Sequence, residues 1–242
     1  MAGKENSSSV IGSKFASAPS FTRTEGEEDL HKRILVVGEG VNTEPSYFKK
    51  FRIPNVDVVA IGLGEGTRKL VHDVENRKEE EERKLGKPFH EVWVAFDKDS
   101  FPDFEQAIQE ARDKGYKVAY TNQAIEYWFI LHFLDHQGSA MDRSTYAKTL
   151  NALLKAENIS LQYDPDAKEI SEELFNVLYK RIQVAYDRAE KVYSFKEAQG
   201  TPTEESVTTI HLLVKSITGM ISTTEKRIQE KKLDSMRKAG LI

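Results

Sequence analysis

The chain has 242 residues, 39% hydrophobic and 31% charged, which suits one large core or a core with an appended lobe; no apolar run approaches the roughly 20 residues of a membrane span. The absence of cysteine and the scatter of only six histidines exclude structural zinc and a thiolate nucleophile, so any metal would be bound by oxygen. With 35 basic against 39 acidic residues the net charge is −4, and a nucleic-acid partner would need a local basic surface.

The first residues lack the basic start, apolar centre and small-residue cleavage site of a secretory signal. A cytoplasmic protein without membrane contact is expected. Residues 1–30 are Ser-rich and then acidic, with no apolar period, and read as a flexible tail. From His31 a short apolar strand is followed by a helix over Thr43 to Phe51, with Tyr47, Phe48 and Phe51 at helical spacing and Pro45 in the first turn. Val56 to Leu63 reads as a second strand, and a highly charged helix follows from Thr67 to Leu85. Glu91 to Phe96 is a third strand. The helix after it, Phe101 to Lys114, has Phe104, Ala107, Ile108 and Ala111 on one face and is stopped by Gly115. Tyr116 to Tyr120 makes a fourth strand, and Ala124 to Leu134 is apolar nearly all round, the mark of a buried helix. This alternation predicts an α/β domain over residues 31–136 with a mostly parallel sheet and right-handed crossovers. From residue 137 to 242 strand signals fade. Helical stretches over Tyr146 to Glu157, Ser171 to Tyr193 and Thr203 to Thr218, then a charged terminal helix, predict an α-helical lobe.

Two acidic clusters stand where buried strands end. Glu39 lies between Gly38 and Gly40 after Ile34-Leu35-Val36-Val37, and Asp97-Lys98-Asp99 follows Val92-Trp93-Val94-Ala95-Phe96. In extended chain Asp97 and Asp99 leave the same face while Lys98 points away. Two such carboxylates, with waters and substrate phosphates, are the usual ligand set of magnesium. The same aspartates also suit the start of a loop and the cap of the next helix. If the first and third strands are neighbours, Glu39 and the Asp pair meet at the carboxyl edge of the sheet, where ligands of open α/β sheets bind. Glu39 would then hold a cation or relay a proton; as a solvated turn residue it would serve the dipole of the next helix instead. Glu44 falls in a first helical turn, where a carboxylate favours the dipole, and reads as a supporting residue.

A third cluster, Thr121-Asn122 through Glu126-Tyr127-Trp128, opens the buried helix. Glu126 is the single acid in that apolar stretch and needs a partner there, such as a metal, a base or free helix N–H groups; capping by Asn122 or Gln123 is the plainer account. His132 reads as a hydrogen-bonded core histidine. The glycines at 62, 64 and 66 do not make a phosphate loop, because Gly-x-x-x-x-Gly-Lys-Ser/Thr is absent. The last segment, with six cations from Lys226 to Lys238 against Glu225, Glu230 and Asp234, is locally basic and reads as a surface helix able to touch phosphates.

The string Gly38-Glu39-Gly40-Val41-Asn42-Thr43-Glu44-Pro45-Ser46-Tyr47-Phe48 resembles the opening motif of RloB-like proteins (the RloB/AbiL type). Phe96-Asp97-Lys98-Asp99 resembles their Asp-x-Asp segment, and Thr121-Asn122 through Glu126-Tyr127-Trp128 to His132-Phe133 their third block. The three lie in the family's order, over roughly residues 33 to 135, with weaker similarity around Pro202 and His211-Leu212-Leu213-Val214. Gly38 stands where Cys is common and Ala124-Ile125 where a small residue or Pro and an aromatic are usual. The resemblance implies a Toprim-like, Rossmann-like catalytic domain. In it the glutamate (here Glu39) acts as acid, base or ligand, and the aspartates (here Asp97 and Asp99) hold magnesium or manganese. It further implies a nuclease in phage defence or abortive infection, acting on DNA or RNA, often beside a partner ATPase. Asn122, Glu126 and Glu44 would support the site. Two other readings stay open: a phosphatase of the haloacid-dehalogenase type, in which Asp97 would be the nucleophile, although two βα units precede it here; and an inactive module that binds an ATPase or nucleic acid.

Overall fold

The computed structural model describes residues 31–98, 103–167, 169–220 and 222–238. The N-terminal tail and Asp99 therefore lie outside the described residues. The described residues, all from His31 onward, belong to one compact unit.

Four strands, β1 (Lys32–Gly38), β2 (Val56–Gly62), β3 (Glu91–Lys98) and β4 (Lys117–Asn122), form one sheet in the order β2-β1-β3-β4. All three pairings are parallel. Between them run α1 (Thr43–Phe48), α2 (Thr67–Leu85) and α3 (Phe104–Asp113), as the alternation of apolar and helical patterns predicts. After β4 come α4 (Glu126–Leu131), α5 (Tyr146–Ala156), α6 (Glu172–Lys180), α7 (Ile182–Ala198), α8 (Ile210–Thr218) and α9 (Thr223–Lys238). The architecture is α/β and Rossmann-like.

The strands read as unbroken apolar runs because both faces of the sheet are covered. Ile34, Val36, Trp93 and Ala95 pack into one core with α1, α4 and the helices α5 to α8. Their alternating neighbours Leu35, Val37, Val94 and Phe96 pack into another with α2 and α3. The four apolar residues predicted for the inner face of α3 are all buried there, and α4 is buried from Tyr127 to Leu131. Among the described residues no helix is long and apolar enough to cross a membrane.

Three helical expectations need correction. The helix expected over Thr203 to Thr218 begins only at Ile210. The preceding residues run antiparallel beside β4, where Thr208 bridges Thr121, the Asn122 N–H donates to the Val207 carbonyl at 2.8 Å, and the Thr209 N–H donates to the Tyr120 carbonyl at 2.7 Å. Val207, Thr208 and Thr209 are β-branched, and extended backbone suits them while it satisfies the open edge of β4. The stretch from Ser171 breaks at Arg181 into α6 and α7. The first helix ends at Phe48 rather than Phe51, its aromatic residues continuing as a buried turn.

Candidate functional site

β1 and β3 are neighbours, so their carboxyl ends meet. The Glu39 N–H continues the ladder to the Ala95 carbonyl of β3 at 2.9 Å, and the Glu39 carbonyl accepts the Gly64 N–H at 2.9 Å. The residue is thus fastened on both sides before its side chain begins. Thr67, the buried first residue of α2, donates its hydroxyl to Glu39 Oε2 at 3.2 Å, which sets the carboxylate near the positive end of a 19-residue helix.

Two glycines allow the turn that follows. A Cβ on Gly40 would lie 2.1 Å from Glu44 Oε2, and one on Gly62 would lie 2.1 Å from the Gly40 carbonyl oxygen. Their bare backbones admit the Glu44 carboxylate and the loop that follows β1.

Glu39, Glu44, Asp97 and Glu126 line one cavity of about 250 Å3, together with Arg143. Each acid comes from a different place: the end of β1, the first turn of α1, the end of β3 and the first residue of α4. Lys98 leaves the other way, donating to the Thr203 carbonyl and lying over the Phe104 ring. Glu44 belongs to the cavity itself, beyond the helix-dipole role read from its position. Asn122 is turned elsewhere: its amide donates to the Thr203 carbonyl at 3.3 Å and braces the extended segment beside β4.

The crowding of carboxylates has an electrostatic cost. Burial holds the Asp97 carboxyl well above the ordinary range, Glu44 and Glu126 raise it further, the Arg143 guanidinium opposes them, and Glu39 adds a smaller push. Glu44 is also raised, first by burial, with backbone hydrogen bonding working against the shift and Glu126 for it.

Glu126 has a partner that the sequence did not suggest. The Tyr163 hydroxyl donates to Glu126 Oε1 at 2.6 Å. Asn151 of α5 clasps Tyr163 by both backbone groups, accepting its N–H at 2.7 Å and donating to its carbonyl at 2.9 Å. The helices bearing Glu44 and Glu126 are tied by the buried bond from Trp128 Nε1 to the Tyr47 hydroxyl, 2.9 Å. Arg143 is positioned by Gln123, whose backbone adopts φ 68° and whose side chain accepts the Arg143 N–H at 2.7 Å. Asp142 caps the short turn, accepting the Ser144 N–H at 2.8 Å. An Asp-x-Ser pattern marked that turn in the sequence; nothing local marked its arginine for the cavity.

The family model for RloB-like proteins matches residues 34–217. The chain belongs to the RloB-like family. No curated protein and no solved structure matches it significantly. The matched span of this RloB-like chain contains all five charged residues of the cavity and Tyr163, and it runs far beyond the three motif blocks, which end near Phe133.

The donor set suits a hard cation. It is all carboxylate oxygen, and the proton affinity of Asp97 is raised first by burial and then by the neighbouring carboxylates Glu44 and Glu126, a negative charge that a bound cation would offset. Among the described residues no three His, Asp or Glu side chains stand together as a metal cage. Magnesium commonly takes one or two carboxylates and completes its shell with water and phosphate, a demand Asp97 with Glu39 can meet.

Proposed function

We propose that this RloB-like protein is a magnesium-dependent nuclease with a Toprim-like catalytic domain. One observation carries the reading: four carboxylates from four separate elements converge, with one arginine, on the carboxyl edge of a parallel sheet. Asp97 and Asp99 would hold magnesium or manganese, with Glu39 as a further ligand or as the group that moves the proton. When bound, the ion supplies charge neutralisation and polarisation at a phosphate oxygen. Arg143, whose backbone is held by Gln123, supplies a positive group for a phosphate oxygen on the same wall. Tyr163, whose hydroxyl is kept protonated by burial and by Glu126, donates to Glu126 and holds its side chain in place. A role in phage defence or abortive infection beside a partner ATPase follows from the family resemblance, and a phage-challenge assay with Glu39→Gln addresses it.

The direct test offers the purified protein, with magnesium or manganese, to plasmid, single-stranded DNA and total tRNA. Asp97→Asn is expected to lower cleavage at least about 100-fold while the circular dichroism spectrum is unchanged. Equal cleavage by the variant would sink the reading.

A further inference from the structure

Val41 and Asn42, on the lip of the carboxylate cavity, also line a second cavity of about 180 Å3. Its wall includes Lys49, Lys50 and Arg52, from the turn after α1, with Glu169 and Glu172 beside them. The three cations differ in what they are free to do. Lys50, its side chain only 13% exposed, is paired with Glu172 at 2.8 Å and pins α1 to α6. Arg52 donates to the Lys49 carbonyl and to the Phe51 carbonyl at 3.2 Å, which holds its guanidinium at the end of the helical turn. Lys49 is exposed.

Cations near a helix C-terminus favour its dipole, but that accounts poorly for three within four residues lining a concavity that shares a wall with the acidic site. A polyanionic strand has the opposite need. The chain carries −4 overall, and the first cavity gathers four carboxylates, so a nucleic acid placed there gains little from the general field. A basic seat beside that cavity would offset the repulsion for a neighbouring phosphate. Val41, 60% exposed, lies on the lip the two cavities share.

We propose that this second cavity is a phosphate subsite for the substrate strand, in which Lys49 and Arg52 hold a phosphate adjacent to the one at the carboxylate cavity. The proposal rests on the nuclease reading for the strand's course, and its test does not depend on cleavage. The full-length protein is titrated into a fluorescein-labelled single-stranded oligonucleotide of about twenty nucleotides, as DNA and as RNA, with calcium replacing magnesium, at a series of salt concentrations. Loss of this one phosphate seat in Lys49→Ala/Arg52→Ala is expected to weaken binding about tenfold or more and to flatten the slope of log affinity against log salt by about 0.7. Lys49→Glu alone, at an exposed position, is expected to weaken binding too and keeps the test decisive if the Arg52 change unfolds the turn. Variants that bind with wild-type affinity and slope overturn the subsite, as does a wild-type protein that binds neither oligonucleotide. A wild-type protein that binds but does not cut in magnesium, with its variants still weakened, supports the subsite and removes the nuclease reading.

Discussion

Asp97 is held against its own chemistry. Burial and the carboxylates of Glu44 and Glu126 raise its folded-state pKa above the unfolded value, so the folded protein binds more protons than the unfolded chain over the interval between them. The contribution of Asp97 to stability is fully present below the ordinary carboxylate range and is lost as pH rises through the raised value. In cation-free protein, Asp97→Asn is therefore expected to raise the melting temperature near neutrality and to flatten its decline with rising pH, measured by differential scanning fluorimetry. His132 works in the other direction. It is buried, hydrogen-bonded to the Trp128 carbonyl at 2.9 Å, and held down to about 3, chiefly by burial, with its backbone bonds opposing. The unfolded chain takes up the proton first, near 6.5, so stability is present above that value and falls as pH drops toward the folded one. His132→Phe is expected to melt with a shallower acid limb than the wild type; an identical limb would show that other groups govern it.

The junction of β1, α1 and β2 is built on close backbone approach. A methyl group at Gly62 would meet the Gly40 carbonyl oxygen at 2.1 Å and the Val41 Cα at 2.7 Å, neither of which is a flexible side-chain end. Gly62→Ala should cost about 1–3 kcal/mol in urea unfolding and displace the loop that carries Glu39. Gly66 is the contrasting control. A Cβ there meets nothing within 4 Å, and its backbone is extended at the start of α2, so Gly66→Ser should be neutral or slightly stabilising as a helix cap. On the far edge, the strap beside β4 shows how a terminal strand is closed without a fifth parallel strand: its backbone takes the edge hydrogen bonds, and Lys98 and Asn122 tether it through Thr203.

Across the whole molecule, residues beyond 137 complete what the sheet begins. Arg143 and Tyr163 enter the site from connections after α4, and α5 to α8 cover the sheet face that carries α1 and α4. Ligand binding at such a site should be felt in global stability. Magnesium at ten times its dissociation constant should stabilise the fold by about 1.4 kcal/mol, a rise of roughly 3–6 °C in melting temperature for a chain of this size. Asp97→Asn should show no such rise. An equal rise in both proteins would place the cation elsewhere.

The α/β class, the four strands and the helix over Thr67 to Leu85 were legible along the chain, because apolar period and turn residues are properties of near neighbours. So was the placing of Glu39 and Asp97 at strand ends. Membership of one cavity was not. Glu44 looked like a dipole partner and lines the cavity, Asn122 looked like a site residue and faces the edge strap, and Arg143 and Tyr163 gave no local sign. Each of these depends on crossovers and packing that bring together residues tens of positions apart, and no spacing along the backbone encodes which side chain reaches the shared space. The strap at Val207 to Thr209 was misread for the same reason: its extended form is chosen by the unpaired edge of β4, which exists only once the sheet has assembled.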